Sequence, residues 1–332
     1  MSSFRILSAV VMLVGLTLLS AAAAAALPGS PKLDFPLACV IGRTCEIQHY
    51  VDRDSGPGVR DYRCGIQTYK AHNGVDIRLP DMIAQRRGVD VLAAAAGRVA
   101  RVRDGVADIS VRAPGAPSVA NQECGNAVVI DHGSGWETQY CHMARGSVRV
   151  KPGDVVAAGA PVGQVGLSGN TEYPHLHLTV RHKGAVVDPF APVGDTGCAA
   201  QADIWTPAAR AKMTYKLGSV LNAGFAGGPV TPDQVESGGI APPVRRASAV
   251  VAYVRAIGLQ AGDEIELDLK GPDGTSLARN RAVPLDRWKA QWITFVGKKA
   301  PAAGWPGGVY AAEYKVLRKG KVAISRRFEV RL

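Results

Sequence analysis

A chain of 332 residues has room for two domains, and an apolar content of 47% is enough to bury two cores. The formal charge of +11 is dispersed along the chain, without a basic stripe interleaved with aromatic residues, and this argues against nucleic-acid binding. The excess of positive charge fits either an anionic partner such as a cell-wall polymer or simple solubility.

Residues 1–26 are a predicted secretory signal peptide. Arg5 supplies a short basic region, residues 6–19 are apolar, and an alanine run then offers small-residue cleavage sites. An uncleaved membrane anchor is the alternative, but the apolar stretch is short for a spanning helix. We therefore expect an exported protein without stable membrane insertion after cleavage. We expect it in the periplasm, with secretion as the alternative.

The cysteine content agrees with export. An even number of cysteines in an exported chain indicates disulfides, whereas buried free thiols or a cysteine metal site are the alternatives. The absence of any CxxC pair argues against a zinc ribbon. The six residues are Cys39, Cys45, Cys64, Cys124, Cys141 and Cys198.

The composition divides the mature chain into four predicted parts. Residues 27–60 are rich in Pro, Gly and Asp and predict a mostly irregular arm, pinned by its two cysteines. Residues 61–198 carry short strands and turns, and 199–243 form a linker in which PAARAKMTYK suits a short helix. Residues 244–332 resume strand alternation and predict a small β-sandwich, with an immunoglobulin-like fold as one form of it. This last part has no His or Cys, so we expect no chemistry there.

Within 61–198 the pattern predicts a mainly antiparallel β-sheet. The stretch NAVVIDHGSGWETQYCHM (126–143) predicts a hairpin of 127–130 against 136–140, joined by a Gly-containing loop. This hairpin would bring Cys124 close to Cys141, and we expect a disulfide between them unless Cys141 faces away. The stretch VDVLAAAAGRVARV (89–102) predicts two further strands joined by a tight turn.

Three short segments offer histidines that can act together. In HLHL, His175 and His177 are two residues apart on a predicted strand and therefore face the same side, about 7 Å apart. In AHNGVDIRLP, His72 and Asp76 would lie roughly 13 Å apart on a straight strand, so a shared ion requires a bend at 73–74. In QYCHMAR, His142 ends the predicted hairpin strand.

Histidine and aspartate in this combination are suitable zinc ligands. Two imidazoles and one carboxylate leave a fourth position open, which is the arrangement of hydrolytic zinc sites. Two further histidines can then handle protons and the developing oxyanion.

The combined motifs resemble the lysostaphin/LytM-type zinc metallopeptidase family over about residues 61–195. The resemblance implies a small antiparallel β-sheet groove and cleavage of peptide bonds in bacterial peptidoglycan. Residue by residue, it implies that His72, Asp76 and His177 bind Zn²⁺, and that His142 and His175 are the catalytic histidines. The chain has HLHL where HLHF is frequent, Tyr173 where a small residue is frequent, and an insertion at 106–123, and these departures bear on substrate choice.

The leading hypothesis is therefore a zinc endopeptidase that acts on peptidoglycan stem peptides or cross-links. The alternative is a non-catalytic or latent cell-wall-binding regulator of other hydrolases. Of the remaining histidines, His132 is expected in a hairpin turn and His182 on the surface. His49 is expected to be structural, with an inhibitory metal ligand as the alternative.

Overall fold

The computed structural model describes residues 27, 29–192, 198 and 202–332, so the predicted signal peptide lies outside the described residues. The described chain is mainly β, as the sequence predicts. Its first half contains β1 (Glu46–His49), β2 (Val75–Arg78), α1 (Met82–Arg86), β3 (Asp90–Leu92), β4 (Gly97–Arg103), β5 (Asn126–Gly133), β6 (Trp136–Met143), β7 (Val155–Val156), β8 (Pro161–Gln164), β9 (His175–His182) and β10 (Ala185–Val187). Its second half contains α2 (Pro207–Lys212), β11 (Ser219–Ala226), α3 (Pro232–Ser237), β12 (Ala249–Leu259), β13 (Glu264–Lys270), β14 (Ser276–Arg281), β15 (Lys289–Lys299), β16 (Val309–Arg318) and β17 (Lys321–Arg331).

The first half is built on an eight-stranded antiparallel sheet in the order β1-β2-β9-β6-β5-β4-β7, with β10 pairing onto β9. Strand alternation sends Val75, Ile77, Leu176 and Leu178 to one face, where all four are fully buried in the core. The residues between them, which include Asp76, face the other side. The two motifs found in the sequence thus lie on adjacent strands and share one polar face.

The predicted hairpin is confirmed. Strands β5 and β6 pair with Val128 opposite Tyr140 and Ile130 opposite Thr138. The disulfide Cys124–Cys141 is present, as expected from this hairpin.

Of the two other disulfides, one closes a loop of the arm and the other joins the two ends of the part predicted at 61–198. One joins Cys39 to Cys45 within the predicted arm, and the other joins Cys64 to Cys198 across 134 residues. No cysteine of the described chain is free. Full pairing fits an exported protein, since disulfides persist in oxidising compartments.

The arm is packed against the sheet domain. Tyr50 of the arm and Tyr62, which follows the arm, are buried and contact Phe190, whose ring stacks on Tyr62 with 4.7 Å between centroids. Trp205, from the predicted linker, also packs against Phe190, with 5.3 Å between the ring centroids. The structure also places strand β1 in the arm, where the sequence predicts mostly irregular chain.

The second half contains a sandwich of two antiparallel sheets, β11-β12-β15 and β14-β13-β16-β17, around a single core. The predicted sandwich is confirmed, and its immunoglobulin-like classification stays a prediction. The helix expected in PAARAKMTYK is present as α2. Strand β11 lies in the stretch predicted as a linker. The sequence did not predict it, because SVLNAGFA is rich in small residues and alternates weakly. No helix of the described residues is long and apolar enough to cross a membrane.

A buried ionic network joins the sandwich to β2. Glu236 on α3 accepts hydrogen bonds from Arg78 at 2.7 Å and from Arg255 on β12. Both guanidinium groups are almost fully buried, and Arg78 also lies 3.6 Å from the centre of the Tyr173 ring. Burial lowers the pKa of Arg255 to about 10, and Glu236 acts in the opposite direction. The carboxylate of Glu236 therefore compensates two buried cations at once.

Substituting Glu236→Ala would leave two buried arginines without their shared anion. We expect a loss of about 3 kcal/mol in the free energy of unfolding, measured by urea denaturation with the disulfides intact. The control is Glu137→Ala, which breaks an exposed pair with Arg101 and should cost less than about 1 kcal/mol. Equal losses in the two variants would show that the network does not stabilise the fold.

Asp188 is a second buried charge, placed at the end of the sheet domain. Its Oδ1 accepts the backbone N–H of Phe190 at 2.9 Å, and Arg53 Nε lies 4.0 Å from Oδ2. Burial raises the pKa of Asp188 to about 7 and outweighs the hydrogen bond from Phe190 and the charge of Arg53. An ordinary aspartate has a pKa of about 4 when unfolded. Between these two values the folded protein binds more protons, so this residue makes stability fall as the pH rises from about 4 to about 7.

Asp188→Asn removes this titration. We expect the variant to gain stability relative to the native protein as the pH rises through this window, by up to about 1.4 kcal/mol per pH unit. Urea unfolding at several pH values measures the difference. Asp131→Asn is the matched control, because exposed Asp131 makes the same kind of bond to the N–H of Gly133 at 2.8 Å. A difference that is independent of pH for Asp188→Asn would contradict the expectation.

Candidate metal centre

The polar face of the large sheet carries a row of residues from four adjacent strands. His49 on β1 pairs with Asp76 on β2, Asp76 pairs with His177 on β9, and His177 pairs with Cys141 on β6. Residues directly opposite each other in antiparallel strands project to the same face with their Cβ atoms about 5 Å apart. Backbone pairing alone therefore brings Asp76 and His177 together.

His72 completes a compact cluster. Its Nε2 lies 3.1 Å from Asp76 Oδ1 and 3.2 Å from His177 Nδ1, and His177 Nδ1 lies 2.9 Å from Asp76 Oδ1. The chain bends at Gly74, where the sequence requires a bend if His72 and Asp76 are to meet. These three residues form the one group of the described chain whose ligand atoms are placed to hold a metal ion.

The distances within the cluster suit a small tetrahedral ion. Ligands at about 2.0–2.1 Å from a tetrahedral ion lie about 3.3 Å from each other. The observed separations of 2.9–3.2 Å are close to this value. The donor set of two imidazole nitrogens and one carboxylate oxygen also matches the preference of zinc.

Outer hydrogen bonds fix which nitrogen of each imidazole faces the cluster. His72 donates its Nδ1–H to the Tyr50 carbonyl at 2.7 Å, which leaves Nε2 free to bind. His177 donates its Nε2–H to Asn73 Oδ1 at 3.0 Å, which leaves Nδ1 free. Such partners orient metal-binding histidines and fix their tautomer.

Asp76 is an anion surrounded by imidazoles and is only 2% exposed. Burial alone would raise the pKa of its carboxyl group, but the charges of His72 and His175 and the close polar contacts with the rings of His175 and His177 outweigh it. The pKa of Asp76 therefore lies well below its ordinary value. For His72, burial acts to lower the pKa, but the Asp76 carboxylate outweighs it and the net pKa is raised.

His142 reaches the same face through a β-bulge. Between the pairs Tyr140–Val128 and Met143–Asn126, two residues of β6 oppose one residue of β5. His142 itself has a φ of 60°, in the left-handed region that few non-glycine residues adopt. The bulge turns its side chain onto the face occupied by the cluster, and its ring lies 6.0 Å from that of His177.

The protonation of His142 is set by its surroundings. Its Nδ1–H is donated to the Ser168 carbonyl at 2.8 Å, so Nε2 carries the free lone pair. Burial holds the pKa of His142 well below its ordinary value, and nearby His175 and His177 act in the same direction. His142 is thus a neutral imidazole near neutral pH, able to accept a proton.

His175 lies next to both His142 and the Asp76 carboxylate. The two rings are 4.6 Å apart between centroids, and His175 Nε2 lies 3.5 Å from Asp76 Oδ1. Its Nδ1–H points to the Tyr173 carbonyl at 3.0 Å. All five residues suggested by the sequence therefore lie together on one face of the sheet.

The structure adds one residue that the sequence did not assign to the site. His49 Nδ1 lies 3.1 Å from Asp76 Oδ2, on the carboxylate oxygen opposite the one shared by His72 and His177. Burial lowers the pKa of His49, and the Asp76 carboxylate acts against it. EIQH (46–49) has a single apolar residue and does not clearly mark a strand, and nothing in it shows that this stretch pairs with β2.

The two remaining histidines lie outside the cluster. His132 lies in strand β5 of the hairpin and not in its turn, as the sequence had suggested, and its ring bonds the Ala96 carbonyl and Thr138 at 2.8 Å each. His182 stacks on buried Trp136 with 4.5 Å between ring centroids. Both have structural contacts that account for them.

Fold and site together define a mainly β domain with three residues placed to hold a metal ion and two further histidines beside them. Residues 70–189 match the model of Peptidase family M23, which agrees with the resemblance to lysostaphin- and LytM-type peptidases found in the sequence. The family predicted from the sequence is therefore confirmed.

The chain is similar to curated proteins that are named as peptidases. It is 33% identical over 174 residues to the DD-carboxypeptidase/endopeptidase Mpg of Neisseria meningitidis, covering 51% of this chain and 33% of the relative. It is 38% identical over 64 residues to the peptidoglycan DD-endopeptidase ShyA of Vibrio cholerae, covering 19% and 14%. The chain thus spans about a third or less of the length of these curated relatives.

A zinc-containing peptidase from Vibrio cholerae is among the similar solved structures. Its sequence is 24% identical, and the alignment covers 48% of this chain and 39% of that one with a TM-score of 0.33.

Gly74 makes the close approach on which the cluster depends. A Cβ at this position would lie 2.6 Å from His177 Nε2 and 2.7 Å from the Leu178 carbonyl oxygen. Gly74→Ala should push the His177 ring away, and we expect zinc affinity, measured by chelator competition, to fall at least about tenfold. Gly228→Ala is the control, because a Cβ there meets nothing within 4 Å. Unchanged affinity in Gly74→Ala would show that His177 does not bind the metal in this position.

Proposed function

We propose that the protein is a zinc-dependent endopeptidase that hydrolyses peptide bonds of bacterial peptidoglycan. The observation that carries the proposal is the single cluster of His72, Asp76, His177, His142 and His175, with each imidazole oriented by an outer hydrogen bond. The names of the relatives, one of which is a peptidoglycan DD-endopeptidase, support the same polymer as substrate. We place the enzyme in the periplasm, which fits the three disulfides.

The metal would be held by His72, Asp76 and His177, whose free ligand atoms suit zinc in number, type and separation. When bound there, zinc supplies the Lewis acidity that activates a water molecule and polarises the scissile carbonyl. The hydrogen bonds from His72 to Tyr50 and from His177 to Asn73 keep both rings in the binding orientation.

His142 and His175 have different tasks in the reaction. We assign His142 as the general base, because its Nε2 is unprotonated near neutral pH and faces the cluster. His175, held through Nδ1 by the Tyr173 carbonyl, presents Nε2 to the same space. In its protonated form it donates a hydrogen bond to the developing oxyanion. The proton accepted by His142 then passes to the leaving amine.

A latent or regulatory protein is the second candidate function, and burial of the site favours it. Residues His142, His175 and His177 are all buried, with exposed fractions of 6%, 6% and 9%. A peptide substrate needs access to His142 and His175 at the same time. Limited access would fit a protein that binds the cell wall and acts only after rearrangement.

Digestion of purified peptidoglycan separates the two functions. We expect the mature zinc-loaded protein to release new stem-peptide fragments, identified by mass spectrometry, and His142→Ala to slow their release by about 10² to 10⁴-fold. His132→Ala is the matched control, since it removes a histidine outside the site. Zinc content measured in each variant shows whether the metal site is intact.

Absence of fragments from the native protein with zinc bound would favour the latent or regulatory function. Equal release by the native protein and His142→Ala would contradict the assignment of His142 as the base.

A further inference from the structure

We propose that His49 is a positioning residue that holds the Asp76 carboxylate in its metal-binding orientation. The proposal rests on the zinc site of the proposed function, and it goes further by assigning a role to a residue of the N-terminal arm. The observation is the hydrogen bond of 3.1 Å from His49 Nδ1 to Asp76 Oδ2.

The two oxygens of Asp76 have different partners. Oδ1 faces His72 Nε2 at 3.1 Å and His177 Nδ1 at 2.9 Å, whereas Oδ2 faces His49. A donor on Oδ2 opposes rotation of the carboxylate about its Cβ–Cγ bond and keeps Oδ1 turned toward the ligand nitrogens. His49 does not belong to the group of His72, Asp76 and His177, whose ligand atoms lie within 4.8 Å of one another. It is therefore placed to orient a metal ligand and not to bind the metal.

The backbone places His49 for this task. It is directly opposite Asp76 in the β1–β2 ladder, just past a register shift between Ile47 and His49. The shift is a local irregularity of the kind that re-aims side chains next to functional sites. The side chain of His49 is 5% exposed and that of Asp76 is 2% exposed, so water does not substitute freely for this hydrogen bond.

Aromatic neighbours fix the ring of His49 from several sides. The ring centroids of Tyr69 and His72 lie 5.3 Å and 5.9 Å away, both at steep angles. Trp288, which precedes strand β15 of the sandwich, lies 6.3 Å away. The sandwich thus contributes to the packing around the metal ligand, although it has no metal-binding side chain of its own.

Three substitutions at residue 49 test the proposal by zinc affinity. His49→Leu removes the donor, and His49→Gln places its amide nitrogen at the distance of Nε2, so both should bind zinc about 10 to 100-fold more weakly. In His49→Asn the amide nitrogen occupies roughly the place of Nδ1, so affinity should stay within a few-fold of native. Affinity is measured by chelator competition, and the visible absorption of the Co²⁺-substituted protein reports the ligand geometry.

His132→Leu is the matched control, because it removes a histidine with two hydrogen bonds outside the site. If His49→Leu does not fold, the comparison of Asn with Gln decides. Peptidoglycan cleavage by the two weaker binders should return to within a few-fold of native at saturating zinc, because a positioning residue takes no part in the chemistry.

Equal zinc affinity in native protein, His49→Asn and His49→Gln would overturn the proposal, as would an equal loss in both variants. These results are distinct from failure of the proposed function. If the native protein binds zinc and cleaves nothing, the endopeptidase assignment fails while the affinities still decide the role of His49.

Discussion

A buried carboxylate is the constraint on which the site depends. Asp76 is 2% exposed, and an unpaired anion at that depth would be strongly unfavourable. The protein meets this requirement with imidazoles from β1, from the bend before β2, and from β9. The same arrangement that stabilises the anion also gathers metal ligands, so stability and function place the same demand on strand pairing. The order β1-β2-β9 is therefore as much a part of the site as the side chains are.

The pairing register of β9 against β2 is set by the need to place His177 beside the buried Asp76 carboxylate. Shifting one strand by a single residue would turn His177 into the core and Leu178 onto the polar face, because side chains alternate along a strand. Full burial of Leu176 and Leu178 opposes such a shift. Strand β6 lies on the other side of β9. The Cys124–Cys141 disulfide ties this strand to the segment before β5, directly beside the bulge that carries His142. Core packing and covalent bonding thus fix the positions of the histidines from both sides.

What the sequence predicted was local or rested on motifs. The hairpin at 126–143, the Cys124–Cys141 pair and the bend at Gly74 depend on residues close together in the chain, and all three are present. The roles of the five site residues stay predictions, although the structure brings them together. Partners distant in sequence were not predictable, because alternation marks a strand without naming its neighbour. His49 beside Asp76 is the clearest case. Strand β11 was missed for a different reason, because its sequence alternates too weakly to mark a strand.

The sandwich is connected to the site through the same strands. Arg78 follows Asp76 by two residues on β2, and alternation puts both on the polar face. Its guanidinium contacts Tyr173, just before His175, and shares Glu236 with Arg255 of the sandwich. Trp288, next to strand β15 of the sandwich, lies 6.3 Å from His49 between ring centroids. A part of the protein without histidine or cysteine therefore supports both ends of the histidine cluster. Its effect on the site passes through buried charge pairing at Arg78 and ring packing at His49.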